Sequence, residues 1–333
     1  MTRKERVLAA LRAEKLTPRP VGAVTQSATV ELMDTTGASW PDAHSDPGLM
    51  AALAGGACEA LGFDLARVPF DQTIEAELFG CPVSLGSRDE ICAVSGSLCR
   101  LEDGPPALPD PGRGRARVVA EAVALLRDRF RSEMAVLGGV VGPFTVAGHI
   151  LGISQMLVAS LTKPQAVEPF LDAAFRFAVQ YAARQVEAGA DAIVVEDMAA
   201  SLDLTSPKIY RNVVLPWQKR LVEAIRVPVI LHICGNNTRI LQDLVATGAR
   251  ALSLDAKTDL AAAAAAAQGR CAIVGGVPPI EALLSGTPDT VRAASRESLA
   301  AGVHILAPGC GIPPRASGAN LKVLVETALE WKD

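Results

Sequence analysis

Residues 227–235 read VPVILHICG. A proline opens the run and a glycine closes it. The apolar stretch between them is too short for a helix and has no polar face, so it reads as a strand buried on both sides. It ends on two residues that bind metals well, His232 and Cys234. Side chains alternate along a strand, so these two share one face. The chain has only four histidines and seven cysteines. Two of them at one strand mouth ask for a chemical reason.

The same pattern recurs along the chain. Apolar runs read as strands at PVGAVTQS (20–27), FDLARVPF (63–70), AVLGGVVGPFT (135–145), AIVVED (192–197), PVILHICG (228–235), ALSLD (251–255), CAIVGGV (271–277) and HILAPGC (304–310). Helical stretches lie between them, at 46–61 and 115–131, and with 3.6-residue apolar spacing in KRLVEAIR (219–226) and RILQDLVATGA (239–249). Gly189, Gly248 and Gly302 sit where helices should stop. The alanine run 261–267 is a helix with Asp259 as its cap. Eight doubly buried strands joined by helices predict an α/β fold, a (β/α)8 TIM barrel, as one domain over residues 1–333. RKERVLAAL adds an N-terminal helix, and alternation with turn residues at 80–101 predicts an inserted β-hairpin. An open doubly wound sheet is disfavoured because no GxGxxG follows the first strand.

The bulk numbers narrow the function. Lys plus Arg total 32 and Asp plus Glu total 36, a net charge of −4 with no long run of one sign, which is no footprint for nucleic acid. Half the residues are hydrophobic, but no run approaches the roughly 20 apolar residues of a spanning helix. The charged MTRKERVLAALRAEK start lacks the apolar core of a signal peptide, so the expected compartment is the cytoplasm. Cysteines at 58, 81, 92, 99, 234, 271 and 310 show no disulfide spacing. Cys58 and Cys271 read as core. Cys81, Cys92 and Cys99 fall in the hairpin segment, where a second metal site is an open alternative. Oligomeric state is not legible.

In a barrel the C-terminal strand ends converge on one pocket. His232 and Cys234 end the fifth strand and Cys310 ends the eighth. One imidazole and two thiols form a zinc-type donor set, and three ligands leave the fourth position open, as in catalytic rather than structural sites. Glu75, Asp197 and Asp255 are candidates for a fourth ligand or for a partner of His232. They read equally as rim polar residues or helix caps. Asn236 and Gln26 are weaker candidates for the same shell. His44 follows a Trp-Pro-Asp turn, His149 is helical and His304 starts its strand at the far end of the barrel.

RKERVLAAL, VPFDQTIEAELFGC, GPFTVA, LHICGN and LAPGCGIPP together resemble the uroporphyrinogen decarboxylase-like superfamily. Within it they are most similar to the methylcobamide:coenzyme M methyltransferases. The similarity runs over nearly the whole chain. Its most specific part is the His-x-Cys…Cys zinc motif, matched by His232, Cys234 and Cys310. The resemblance implies a (β/α)8 barrel and a zinc ion that binds an acceptor thiol, with coenzyme M the implied acceptor. It implies a methylated corrinoid, carried by a partner protein, as methyl donor. If the acceptor is coenzyme M, its sulfonate needs donors, for which Lys257, Arg239 and helix-start N–H groups are candidates. The decarboxylase branch carries an arginine-rich motif after its first strand, whereas this chain reads TQSATVELM there. Transfer to tetrahydrofolate, a decarboxylase-like lyase, and a non-catalytic zinc or corrinoid module remain the competing readings.

Overall fold

The computed structural model describes residues 1–332. Seven strands form one parallel sheet: β1 (Leu65–Arg67), β4 (Ala135–Val141), β5 (Ala192–Glu196), β6 (Val229–Ile233), β7 (Ala251–Leu254), β8 (Ala272–Val277) and β9 (Ile305–Pro308). They pair in that order. β2 (Val83–Ser84) and β3 (Ala93–Val94) form a separate antiparallel pair, which is the expected hairpin insertion.

The eighth position is filled differently from the expectation. Residues 20–27 make no regular strand; Val21 forms a single parallel bridge to Leu306. Gly22 donates to Leu306 O at 3.2 Å, and Leu306 donates to the Pro20 carbonyl at 2.9 Å. On the other side Asp64 donates to Val21 O at 2.7 Å. This segment therefore spans the gap between β9 and β1 and closes the barrel with few bonds. Pro18 and Pro20 carry no N–H, so a full ladder is not available to them. AVLGGVVGPFT also divides: the strand stops at Val141, and Pro143 begins a helix, Pro143–Leu151. Proline at the first helical position costs no intrahelical bond.

A parity rule decides which side chains face the barrel interior. Leu65, Ala135 and Leu137, Ala192 and Val194, Ile230, Ala251, Ala272 and Val274, Ile305 and Ala307 form one buried cluster. Val7, Ala10 and Leu11 of the helix Arg3–Leu11 belong to the same cluster, so this helix plugs one end of the barrel. Thr2 and Glu5 cap it reciprocally. Two residues on from these interior positions come Arg67, Glu196, His232 and Ser253. The polar layer at the open end is thus a continuation of the apolar one. A larger apolar cluster fills the space between sheet and helices.

Several helix boundaries follow the predicted signals. Gly189 ends Pro164–Ala188 in the left-handed region, φ 113°. The Asp259 side chain accepts from Ala262 N at 2.9 Å at the start of the alanine helix. Among the described residues no single helix is long and apolar enough to cross a membrane.

Candidate metal centre

His232, Cys234 and Cys310 come together although 76 positions separate the two cysteines. His232 Nε2 lies 3.1 Å from Cys234 Sγ, and the two Sγ atoms are 3.0 Å apart. All three donor atoms lie within 4.8 Å of one another. The His232 side chain is fully buried, whereas both cysteines are part-exposed and Cys310 lines a cavity of about 740 Å3.

Local structure sets each donor. β6 puts His232 in register with Glu196 of β5 and Ser253 of β7. The ring's Nδ1 lies 3.1 Å from both the Ser253 carbonyl oxygen and Ser253 Oγ. Held so, the ring turns Nε2 toward the sulfurs. Gly235 follows Cys234 with φ 83°, a turn that favours glycine. Gly309 precedes Cys310, and a Cβ there would lie 2.6 Å from Ala256 N.

The thiols are electrostatically linked. The hydrogen bond from Cys234 holds the Cys310 thiol well below its ordinary range. The His232 ring acts in the same direction, while burial opposes it. Cys234 is correspondingly pushed up, by Cys310 first and by burial second. One imidazole nitrogen and two sulfurs are a donor set for a borderline-soft cation such as zinc. Tetrahedral zinc with Zn–S near 2.3 Å holds two sulfurs roughly 3.8 Å apart. The present pair would open slightly to admit it, and Cys310 borders the cavity, the side toward which it would move.

The other predicted residues separate into groups. Asp255 braces the site: its Oδ2 accepts from Gly235 N at 2.9 Å and its Oδ1 from Lys257 N at 3.0 Å. Gln26 lines the cavity and donates to the Ile312 carbonyl at 2.6 Å, tying down the loop after Cys310. Asp197 is fully buried but faces away from the donor cluster. It accepts from Thr145 N and Oγ1 at 2.8 Å and from Gln218 Nε2 at 2.9 Å, so it fixes the start of the helix Pro143–Leu151. Glu75 is spent on Val141 N at 2.7 Å; burial raises its carboxyl to about 7. Asn236 only caps its own turn, accepting from Thr238 N at 3.1 Å. Lys257 is exposed and pairs with Asp203 at 3.6 Å. None of Glu75, Asp197 and Asn236 meets the three metal-type donors.

The residue beside Asn236 does what was expected of it. Asn237 Nδ2 donates to the carbonyls of Ile233 and Cys234 at 3.0 Å and of Gly235 at 3.2 Å. It is fully buried and clamps the Cys234 turn. Ser253, Met198 and Glu196 also border the donor cluster or its cavity. Met198 Sδ is 3.6 Å from Cys234 Sγ. Glu196 is buried in the cavity wall, hydrogen-bonded by Arg67 and Gln72. The strand-parity rule applied to ALSL and AIVVE points Ser253 and Glu196 inward; the NN pair offered no such rule. His149 also lines the cavity, held neutral by burial, which lowers it to about 4.

The uroporphyrinogen decarboxylase (URO-D) family model matches residues 2–331, and the chain belongs to that family. Within it, the chain is 37% identical to the methylcobamide:CoM methyltransferase MtbA of Methanosarcina acetivorans, over 99% of this chain and 98% of the relative. It is 34% identical to the methylcobamide:CoM methyltransferase MtaA of Methanosarcina barkeri, over 99% and 98%. A solved methyltransferase from Methanosarcina mazei superimposes with a TM-score of 0.94 at 36% identity, covering 99% of both chains. The uroporphyrinogen decarboxylase of Prochlorococcus marinus matches 63% of the chain at 30% identity. The full-length matches place the chain among the methyltransferases of the family.

Proposed function

We propose that the chain is a zinc-dependent methyltransferase, a single cytoplasmic barrel domain over residues 1–333, that moves a methyl group from a methylated corrinoid to a small thiol. The donor would be carried by a partner protein, and coenzyme M is the first candidate acceptor. The carrying observation is the convergence of His232, Cys234 and Cys310, the last of them lining the cavity. The full-length methylcobamide:CoM methyltransferase relatives support both substrates.

Held by these three ligands, zinc would supply the positive charge that removes the thiol proton of an acceptor occupying the fourth position. The chain's own residues set how reactive that sulfur is. Two cysteine thiolates already neutralise a 2+ charge, so an acceptor sulfur keeps its electron density; three histidines would withdraw it. Ser253 fixes the His232 ring, and Asn237 and Asp255 fix the Cys234 turn. The cavity, with Gln72, Glu196 and Met198 in its wall, has room for more than the thiol. The methylated corrinoid would supply a methyl carbon open to attack by the acceptor sulfur: the S–C bond would form as the carbon's bond to the donor breaks, the electron pair staying with the donor, and the thiol proton would leave to solvent.

The test is methylcobalamin demethylation with coenzyme M, homocysteine and tetrahydrofolate in turn, beside zinc content. Cys310→Ala should lose thiol methylation together with the zinc this cluster holds. Full thiol methylation by that variant, or pterin-dependent turnover by zinc-free protein, overturns the proposal.

A further inference from the structure

A second set of metal-type donors stands apart from the first. His44 lies in the turn Asp42–His44, Asp71 follows β1, and Cys92 precedes β3 in the hairpin. One ligand atom from each lies within 4.8 Å of the others, and all three residues are buried. Three separate chain segments converge there, one of them the inserted hairpin.

The imidazole is the informative member. His44 is fully buried, and neither ring nitrogen has a hydrogen-bond partner in good geometry. Nδ1 lies 3.3 Å from Asp71 Oδ2. Trp40 stacks on the ring at 5.1 Å, and Phe70 meets it edge-on at 6.5 Å, so its orientation is fixed. A buried polar group without a partner is destabilising, and proteins rarely keep one without a use. The carboxylate is built in as firmly. Asp71 Oδ1 accepts from Thr73 N at 2.9 Å and from Thr73 Oγ1 at 2.6 Å, and Oδ2 accepts from Arg115 Nη1 at 2.8 Å. The Cys92 thiol has only the Leu85 carbonyl, at 3.4 Å. Asp71 and Cys92 line the same cavity as Cys310.

Charge also balances. Arg115 pairs with both Asp71 and Glu77, which leaves one negative charge over. Loss of the Cys92 proton adds a second. A divalent ion would bring the cluster to neutrality, which is the condition for keeping charges buried.

We propose that His44, Asp71 and Cys92 form a second, separate binding site for a borderline-soft divalent cation of the zinc or cobalt(II) class. The ion takes imidazole nitrogen, carboxylate oxygen and thiolate sulfur, and releases the Cys92 proton to solvent on binding. The hairpin is thereby tied to the barrel through Cys92.

The site is independent of the His232 cluster, so it is tested in protein lacking that cluster. In Cys234→Ser/Cys310→Ser protein, titration with cobalt(II) should still give one bound ion per chain with thiolate-to-cobalt charge-transfer absorption. Adding Cys92→Ser should abolish that absorption, and His44→Asn should weaken binding at least tenfold. In otherwise unaltered protein reconstituted with excess zinc, Cys92→Ser should lower the zinc content by one ion per chain. This second measurement covers the case where the double variant fails to fold. Zinc content unchanged by Cys92→Ser, or no thiolate-to-cobalt band in a folded double variant, overturns the proposal. Loss of thiol methylation in Cys310→Ala bears on the first site alone.

Discussion

His232 and Ser253 face each other in register across β6 and β7, and Ser253 offers the ring's Nδ1 both a carbonyl and a hydroxyl oxygen at 3.1 Å. One residue of a neighbouring strand therefore sets which nitrogen of His232 points at the sulfurs. Partners of this kind are typically worth 10- to 100-fold in metal affinity. Ser253→Ala keeps the carbonyl and loses the hydroxyl, so its effect should sit at the low end, roughly tenfold. Chelator competition measures it. An affinity unchanged by the substitution would show that the backbone carbonyl alone orients the ring.

Asn237 supports the site through backbone. Its Nδ2 serves the carbonyls of Ile233, Cys234 and Gly235. Asn237→Ala leaves these buried acceptors short of a donor, and should cost about 2 kcal/mol or more. Urea unfolding should show it, and metal affinity should fall in parallel because the Cys234 turn loosens.

Gly309 is a test of close approach. A Cβ there would lie 2.6 Å from Ala256 N and 3.3 Å from Asp255 Cα, and backbone cannot move aside as a side chain can. Gly309→Ala should cost about 1–3 kcal/mol as overpacking. It should also shift Cys310, so thermal unfolding and zinc retention are expected to fall together. Retained zinc at a lowered Tm would separate the two effects.

Glu75 gives a pH dependence with a defined sign. Burial raises its carboxyl from 4.5 to about 7 in the folded chain. Between those values the folded state binds more protons than the unfolded state, so stability falls as pH rises. Glu75→Gln keeps an acceptor for Val141 N and removes the proton linkage. Comparing urea midpoints at about pH 5 and about pH 8, the variant should lose less stability than the parent protein on going to the higher pH. An equal loss in both would mean that Glu75 ionises at its ordinary pKa.

The barrel was readable because doubly buried strands leave an unmistakable apolar signature, and VPVILHICG, AIVVED and CAIVGGV all became strands near their expected ends. PVGAVTQS has a similar composition but made only the Val21 bridge: Pro20 has no N–H, and the Val21 N–H goes to the Asp64 side chain instead of a strand, which composition alone does not reveal. His232, Cys234 and Cys310 were nameable because alternation and strand-end position constrain them. Asn236 caps its own turn while Asn237 clamps the Cys234 turn, and in a turn no periodicity distinguishes such neighbours. Asp197 looked like a site residue and instead anchors a helix start through Thr145 and Gln218, a choice set by partners far away in the chain.

The amino-acid order alone determined the alternation of strands and helices, and the three soft donors at two strand mouths at one end of the barrel. These are local properties, carried by apolar periodicity and by residue chemistry. The tertiary structure decided which carboxylates serve the site and which are spent on helix starts, that Ser253 orients His232, and that His44, Asp71 and Cys92 converge. Those outcomes depend on distances between segments tens of residues apart, and such distances exist only once the barrel has closed and the hairpin has folded over its mouth.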